Sequence, residues 1–180
     1  MHHTLKFYGE HRDWIVRLYM FFGSWTRIPL VGHLVRWVGN KYGGLHSACL
    51  LTPAEAEELV TIAEGVAVAP CTCRKLFHNC DNPIDVEILV GPSRHVSLEA
   101  MAKDTRVIAK EKAIEILRDS HRRGLIFTLA KCRGDYYAIC SCCNCCCVPL
   151  RLNKLYGIGN AVHRHEDIVG EFREYQAGYR

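Results

Sequence analysis

Leu125–Cys147 reads LIFTLAKCRGDYYAICSCCNCCC. Apolar residues over 125–129 and 136–139 flank Arg133-Gly134-Asp135, a pattern that predicts two short strands joined by a tight turn. The second strand runs straight into Cys140-Ser141-Cys142-Cys143-Asn144-Cys145-Cys146-Cys147, six thiols in eight residues. The hairpin therefore delivers most of the chain's sulfur to one place.

Upstream of the hairpin, Ala113, Ile114, Leu117 and His121 share one face of a helix expected over about 109–123, with Arg118, Arg122 and Arg123 near its end and Gly124 as its stop. Ile84, Val86, Ile88 and Val90 alternate as in a half-buried strand, closed by Gly91-Pro92. Thr52-Pro53-Ala54-Glu55 has the form of a capping box and opens a helix over about 53–65. Val66–Pro70 then leads the chain to Cys71. No internal repeat or low-complexity linker divides these elements. The expected class is α+β: a mixed domain over 49–165 built around two cysteine loops, an amphipathic basic helical extension over 1–48, and a polar tail over 166–180.

Hydrophobic residues make up 49% of the 180 and charged residues 23%, a globular balance. A chain of this length buries roughly two-thirds of its unfolded surface, so its 11 cysteines are not needed as staples. No run of apolar residues is long enough to span a bilayer, and no signal-peptide pattern opens the chain. The expected setting is a reducing cytoplasmic compartment, where disulfides are disfavoured.

The net charge of +4 is not evenly spread. Residues 1–41 hold six basic side chains (Lys6, Arg12, Arg17, Arg27, Arg36, Lys41) against two acidic ones (Glu10, Asp13), and the rest of the chain is balanced. All three tryptophans are here, and helical spacing runs through Trp14, Leu18, Phe21 and Phe22 and again through Val31, Leu34, Val35 and Val38. Two readings follow: amphipathic helices packed on the core or on a partner, with basic outer faces, or helices in peripheral contact with a membrane surface. No nucleic-acid motif accompanies the basic residues.

Ten of the eleven cysteines fall between 71 and 147. Cys71, Cys73 and Cys80 form one group; Cys140, Cys142, Cys143, Cys145, Cys146 and Cys147 form the other. Adjacent cysteines make poor disulfides. Crowded thiolates repel and raise one another's pKa unless cations neutralise them, and soft metals do so. One structural zinc takes four ligands and leaves most of these thiols idle. Iron–sulfur clusters accept ligands from a tight loop plus a distant cysteine, and nine thiols suffice for one or two [4Fe-4S] centres. Arg74, Lys75, Lys131, Arg133 and Arg151 flank the two groups and suit an anionic centre. Cys49 reads as a small buried apolar residue, and Cys132 is open between ligand and core.

Pro70-Cys71-Thr72-Cys73-Arg74, Cys80-Asp81-Asn82-Pro83, the AKEKAIEILRDSHRRGLIF passage over 109–127 and Ile139–Arg151 together resemble a cysteine-rich iron–sulfur family of anaerobic bacteria and archaea. The resemblance covers roughly 50–165. It implies iron–sulfur binding and electron transfer. In many members of that family this region precedes a dicluster ferredoxin module. No C-x2-C-x2-C-x3-C-P run follows Cys147, so a separate redox partner protein is implied. Glu87-Ile88 stands where some relatives carry a further cysteine.

His78, between Cys73 and Cys80, and the His163-Arg164-His165 triplet are candidate nitrogen ligands or proton donors. No nucleophile elbow, phosphate loop or dinucleotide fingerprint is present. The leading expectation is a non-catalytic electron carrier. A redox enzyme or activase subunit with an incompletely ligated cluster, and a soft-metal handling or scaffold protein, stand as alternatives.

Overall fold

The expected hairpin is the centre of a seven-stranded mixed sheet. A computed structural model describes residues 3–91, 95, 98–99 and 104–178. The helices are α1 (His3–Ser24), α2 (Val31–Gly43), α3 (Pro53–Ile62), α4 (Thr72–Phe77), α5 (Lys110–Arg122), α6 (Val148–Tyr156) and α7 (Ile168–Ala177). The strands are β1 (His46–Leu51), β2 (Val66–Pro70), β3 (Asp85–Leu89), β4 (Arg106–Ile108), β5 (Ile126–Cys132), β6 (Asp135–Cys142) and β7 (Val162–Arg164). Their order across the sheet is β4-β2-β3-β6-β5-β1-β7. Every neighbouring pair is antiparallel except β1 with β7.

The α+β class is as the sequence predicts. Between β5 and β6, Arg133 (φ 49°) and Gly134 (φ 105°) both lie in the left-handed region that a two-residue hairpin turn requires. Thr128 pairs with Cys140 and Ile126 with Cys142, while the register shifts between Ala130 and Lys131. Both strands run longer than expected, and the ladder carries β6 into the first cysteines of the run. Pro92, half of the expected stop after β3, lies outside the described residues. The capping box forms: the Glu55 N–H donates to Thr52 Oγ1 (3.2 Å) and the Thr52 N–H donates to Glu55 Oε2 (2.7 Å).

The two faces of the sheet differ in side-chain size. Val68, Ile88, Leu129 and Ile139 point to one face and pack against Leu59 of α3, Leu117 of α5 and Phe172 of α7. The C-terminal segment is thus more than a polar tail, because α7 buries Ile168 and Phe172 in this core. The other face presents Ala67, Ala69, Ala130 and Ala138 beside Leu89 and Tyr137. Small side chains here leave room between the sheet and the helices above it.

Those helices are α1, α2 and α6. Arg12, Val16, Met20 and Gly23 form the buried stripe of α1. A Cβ on Gly23 would lie 2.8 Å from Tyr156 Cδ2, so glycine sets the close approach of α1 to α6. Arg12 reaches through to Glu87 on β3, one guanidinium nitrogen lying 2.7 Å from Oε1 and 2.9 Å from Oε2, with both side chains buried. The outer faces carry the expected basic residues, with Arg17, Arg27 and Lys41 exposed, but large apolar residues stand beside them. On α1, a buried stripe led by Arg12 and Gly23 turns Trp14, Phe21 and Phe22 outward, and on α2 Leu34 and Trp37 are exposed. No helix among the described residues is long and apolar enough to cross a membrane.

Candidate metal centre

Two segments bring the thiols together. β2 ends at Pro70, and the chain turns through Cys71 into the short helix α4, which ends at His78 in the left-handed conformation (φ 48°). β6 ends at Cys142, and a tight turn over 143–147 leads into α6, with Cys147 as its N-cap. Arg74 clamps the two segments. It is buried, and its guanidinium donates to the Pro83 carbonyl and to the Ser141 carbonyl (2.8 Å). Asn79 adds a second tie, its Nδ2 donating to the Cys145 carbonyl at 2.8 Å.

Within this junction the Sγ atoms of Cys80, Cys143, Cys145 and Cys146 all lie within 4.8 Å of one another. Cys80 Sγ is 3.7 Å from Cys143 Sγ and 3.9 Å from Cys146 Sγ. A tetrahedral ion with metal–sulfur bonds of about 2.3 Å has sulfur–sulfur edges of about 3.8 Å. The four cysteines therefore form a cage that fits one soft ion. A four-iron cubane places an iron–sulfide core between its terminal sulfurs, and these four would have to spread to hold it. Cys143 and Cys146 are buried, whereas Cys80 and Cys145 are half-buried, so the cage sits at the edge of the protein.

The electrostatics favour a cation in the cage. Burial raises the Cys80 thiol, but the backbone and side chain of Asn82 and hydrogen bonds from Cys145 and Cys143 outweigh it and bring the pKa down to about 6. Cys145 is pushed up by burial and by its hydrogen bonds with Cys143 and Cys80. Cys146 is pushed up by burial and by the charge of Cys143. One thiol thus ionises readily while two neighbours resist, and a metal ion removes that resistance.

The remaining five expected ligands lie outside the cage. Cys142 and Cys147 Sγ are 3.2 Å apart, and Cys140 hydrogen-bonds to Cys142. Burial raises Cys71 to about 12, with the charges of Glu87 and Cys140 adding to it, and raises Cys73 to about 12, with the charge of Cys71 adding to it. The hydrogen bond with Cys142 and then burial push Cys140 up strongly. These five line a cavity of about 620 Å³ between the sheet and α1–α2, and Cys143 and Cys146 of the cage line it too.

The sequence expectations therefore separate. Of the nine candidate cysteines, one from the first sequence group and three from the second form the cage, and the other five line the cavity beside it. Cys49 is buried in the first core, as expected of an apolar residue. Cys132 packs with Ala130 and Tyr137 and is not part of the cage. No histidine joins the cage among the described residues: His78 is exposed, and His165 faces Glu171 at 3.3 Å. Of the basic neighbours, Arg74 lies among Cys71, Cys80 and Cys143. Lys131 instead pairs with Glu171 (3.3 Å), and Lys75 with Asp104 (2.9 Å).

Sequence reasoning missed Arg12, Glu87 and the two asparagines. Only Asn82, within Cys80-Asp81-Asn82-Pro83, carried a local signal; Arg12 and Glu87 meet through a contact 75 residues apart. Comparison with family models, with curated proteins and with solved structures finds no match for this chain.

Proposed function

We propose that this protein binds iron through its clustered thiolates and passes electrons to a separate redox partner. The observation that carries the proposal is the cage of Cys80, Cys143, Cys145 and Cys146, whose sulfurs lie within 4.8 Å of one another. Thiolate cages select soft metals, and tetrahedral sulfur suits iron or zinc. Iron is favoured by the surplus of thiols around the cage, which exceeds what a structural zinc site uses. The resemblance of the Pro70–Arg74 and Ile139–Arg151 motifs to an iron–sulfur family points the same way. A half-buried rim at Cys80 and Cys145 suits electron transfer, since a docked partner approaches the metal closely.

A second reading is a structural zinc at the same cage, whose 3.7 and 3.9 Å sulfur spacings fit one tetrahedral ion rather than a cubane. Purification of the full chain without oxygen, followed by metal analysis and reductive titration, separates the two. Iron, visible colour and a reversible one-electron reduction support electron transfer. Zinc alone, in a colourless protein that takes up no electrons, overturns it.

A further inference from the structure

The corner between α1 and α2 is built around one leucine in a conformation that leucine rarely adopts. Leu30 lies at φ 67° and ψ −55°, and the Val31 N–H donates to the Pro29 carbonyl at 2.8 Å. Pro29-Leu30-Val31 is thus a γ-turn of the rare, strained hand, which persists only where its surroundings over-determine it. They do so here. The Ile28 carbonyl accepts from the Gly32 N–H at 2.8 Å, the Trp25 carbonyl accepts from the Ile28 N–H at 3.0 Å, and Arg36 Nη1 donates to the Thr26 carbonyl at 2.8 Å. The strain secures no buried contact for Leu30. Its side chain is 88% exposed, more than any other large hydrophobic residue among those described.

The helix that follows is inverted relative to an ordinary surface helix. α2 meets the rest of the protein through glycines and an asparagine. A Cβ on Gly39 would lie 2.9 Å from Ile158 Cδ1, and one on Gly32 would strike the Thr26 carbonyl. Asn40 Nδ2 donates to the Gly157 carbonyl at 3.3 Å, and Asn40 Oδ1 accepts from the Asn160 N–H at 3.1 Å. Large apolar residues are left uncovered: Trp37 is 60% exposed, and Val31, Ile28 and, at the end of α1, Phe21 are exposed as well. Thirteen of the sixteen exposed large hydrophobic residues among those described lie between Phe7 and Leu45.

The charge around this surface has one sign. No acidic residue stands between Asp13 and Glu55, whereas Arg17, Arg27, Arg36 and Lys41 do. Arg17, Arg27 and Lys41 are exposed, and Lys41 Nζ lies 5.1 Å from the centre of the Trp37 ring. A second copy of this chain docked by two-fold symmetry would set these cations against themselves. An anionic bilayer instead supplies the opposite charge together with an apolar depth for leucine and tryptophan. We propose that the α1–α2 corner docks this protein on an anionic lipid surface, with Leu30 as the residue that enters the bilayer and Arg17, Arg27 and Lys41 pairing with acidic headgroups. This inference is independent of the metal centre.

The test uses the full chain with phosphatidylglycerol vesicles, and phosphatidylcholine vesicles as control. All three tryptophans, Trp14, Trp25 and Trp37, lie in this segment, so intrinsic fluorescence reports on it alone. Cosedimentation with the acidic vesicles only, a blue shift of the emission and quenching by lipids brominated on their acyl chains are expected. Leu30→Gly removes the inserted side chain and relieves the positive φ, so thermal unfolding should be unchanged or shift upward while affinity for the acidic vesicles falls roughly tenfold. Trp37→Glu, at an exposed site, should weaken binding as well. Absence of sedimentation with phosphatidylglycerol, absence of quenching by brominated lipid, or equal affinity of Leu30→Gly and wild type would overturn the proposal. A dimer in vesicle-free solution that Trp37→Glu dissociates would assign the face to a second copy and overturn it too.

Discussion

Replacing Arg12 with methionine should detach α1 from the sheet more effectively than any apolar truncation on that helix. The side chains of Arg12 and Glu87 are 9% and 1% exposed, and their ion pair closes at 2.7 Å. Burial alone would lower the Arg12 pKa, yet Glu87 holds it well above its ordinary value, so the guanidinium stays charged in the fold. Without Arg12, the Glu87 carboxylate is buried and uncompensated, which costs about 3–5 kcal/mol. With a urea slope of about 2 kcal/mol/M, the unfolding midpoint should fall by about 2 M. The double variant Arg12→Met/Glu87→Leu should recover most of that loss, because breaking a buried pair is costly and replacing it is close to neutral. Urea unfolding of the two single variants and the double variant measures all of this. A loss below about 1 kcal/mol in Arg12→Met, or a double variant as unstable as the sum of the two singles, would refute the buried pair as the anchor of α1.

Glu55→Gln probes the other end of the sheet. Glu55 accepts from Arg164 at 2.6 and 2.7 Å, and that hydrogen bonding lowers its pKa to about 2. Its contribution, about 1 kcal/mol after screening, is present above the unfolded pKa and lost as pH falls toward 2, so wild type and Glu55→Gln should converge there in thermal unfolding. Gly32→Ala should cost about 1–3 kcal/mol, because its Cβ would strike the Thr26 carbonyl at the α1–α2 corner. Arg74→Lys should weaken metal retention against a chelator and lower stability by about 1–3 kcal/mol, since an ammonium cannot span the Pro83 and Ser141 carbonyls as a guanidinium does.

Local chemistry made much of the fold legible in the sequence. Thr52-Pro53-Ala54-Glu55 states its cap within four residues, and Arg133-Gly134 states its turn within two. The helix over Lys110–Arg122 shows its buried face through Ala113 and Leu117. The sheet order was not legible, because β3–β6 and β1–β7 pairing are long-range and no local signal fixes them. The nine candidate cysteines were legible from their density. The choice of four for the cage was not, since Cys80 joins it and Cys73, seven positions earlier, does not. That choice depends on α4 turning the chain between them. The orientation of α1 was also hidden, because its inward stripe contains an arginine whose partner is on a distant strand.

X-ray absorption at the iron and zinc edges of the full chain, purified without oxygen, measures the metal's own surroundings. A shell of sulfur at about 2.3 Å, lost from the cage's share when Cys80 and Cys143 become serine, is the predicted result. A shell of oxygen or nitrogen, or no bound metal in a folded protein whose thiols all titrate, would contradict it.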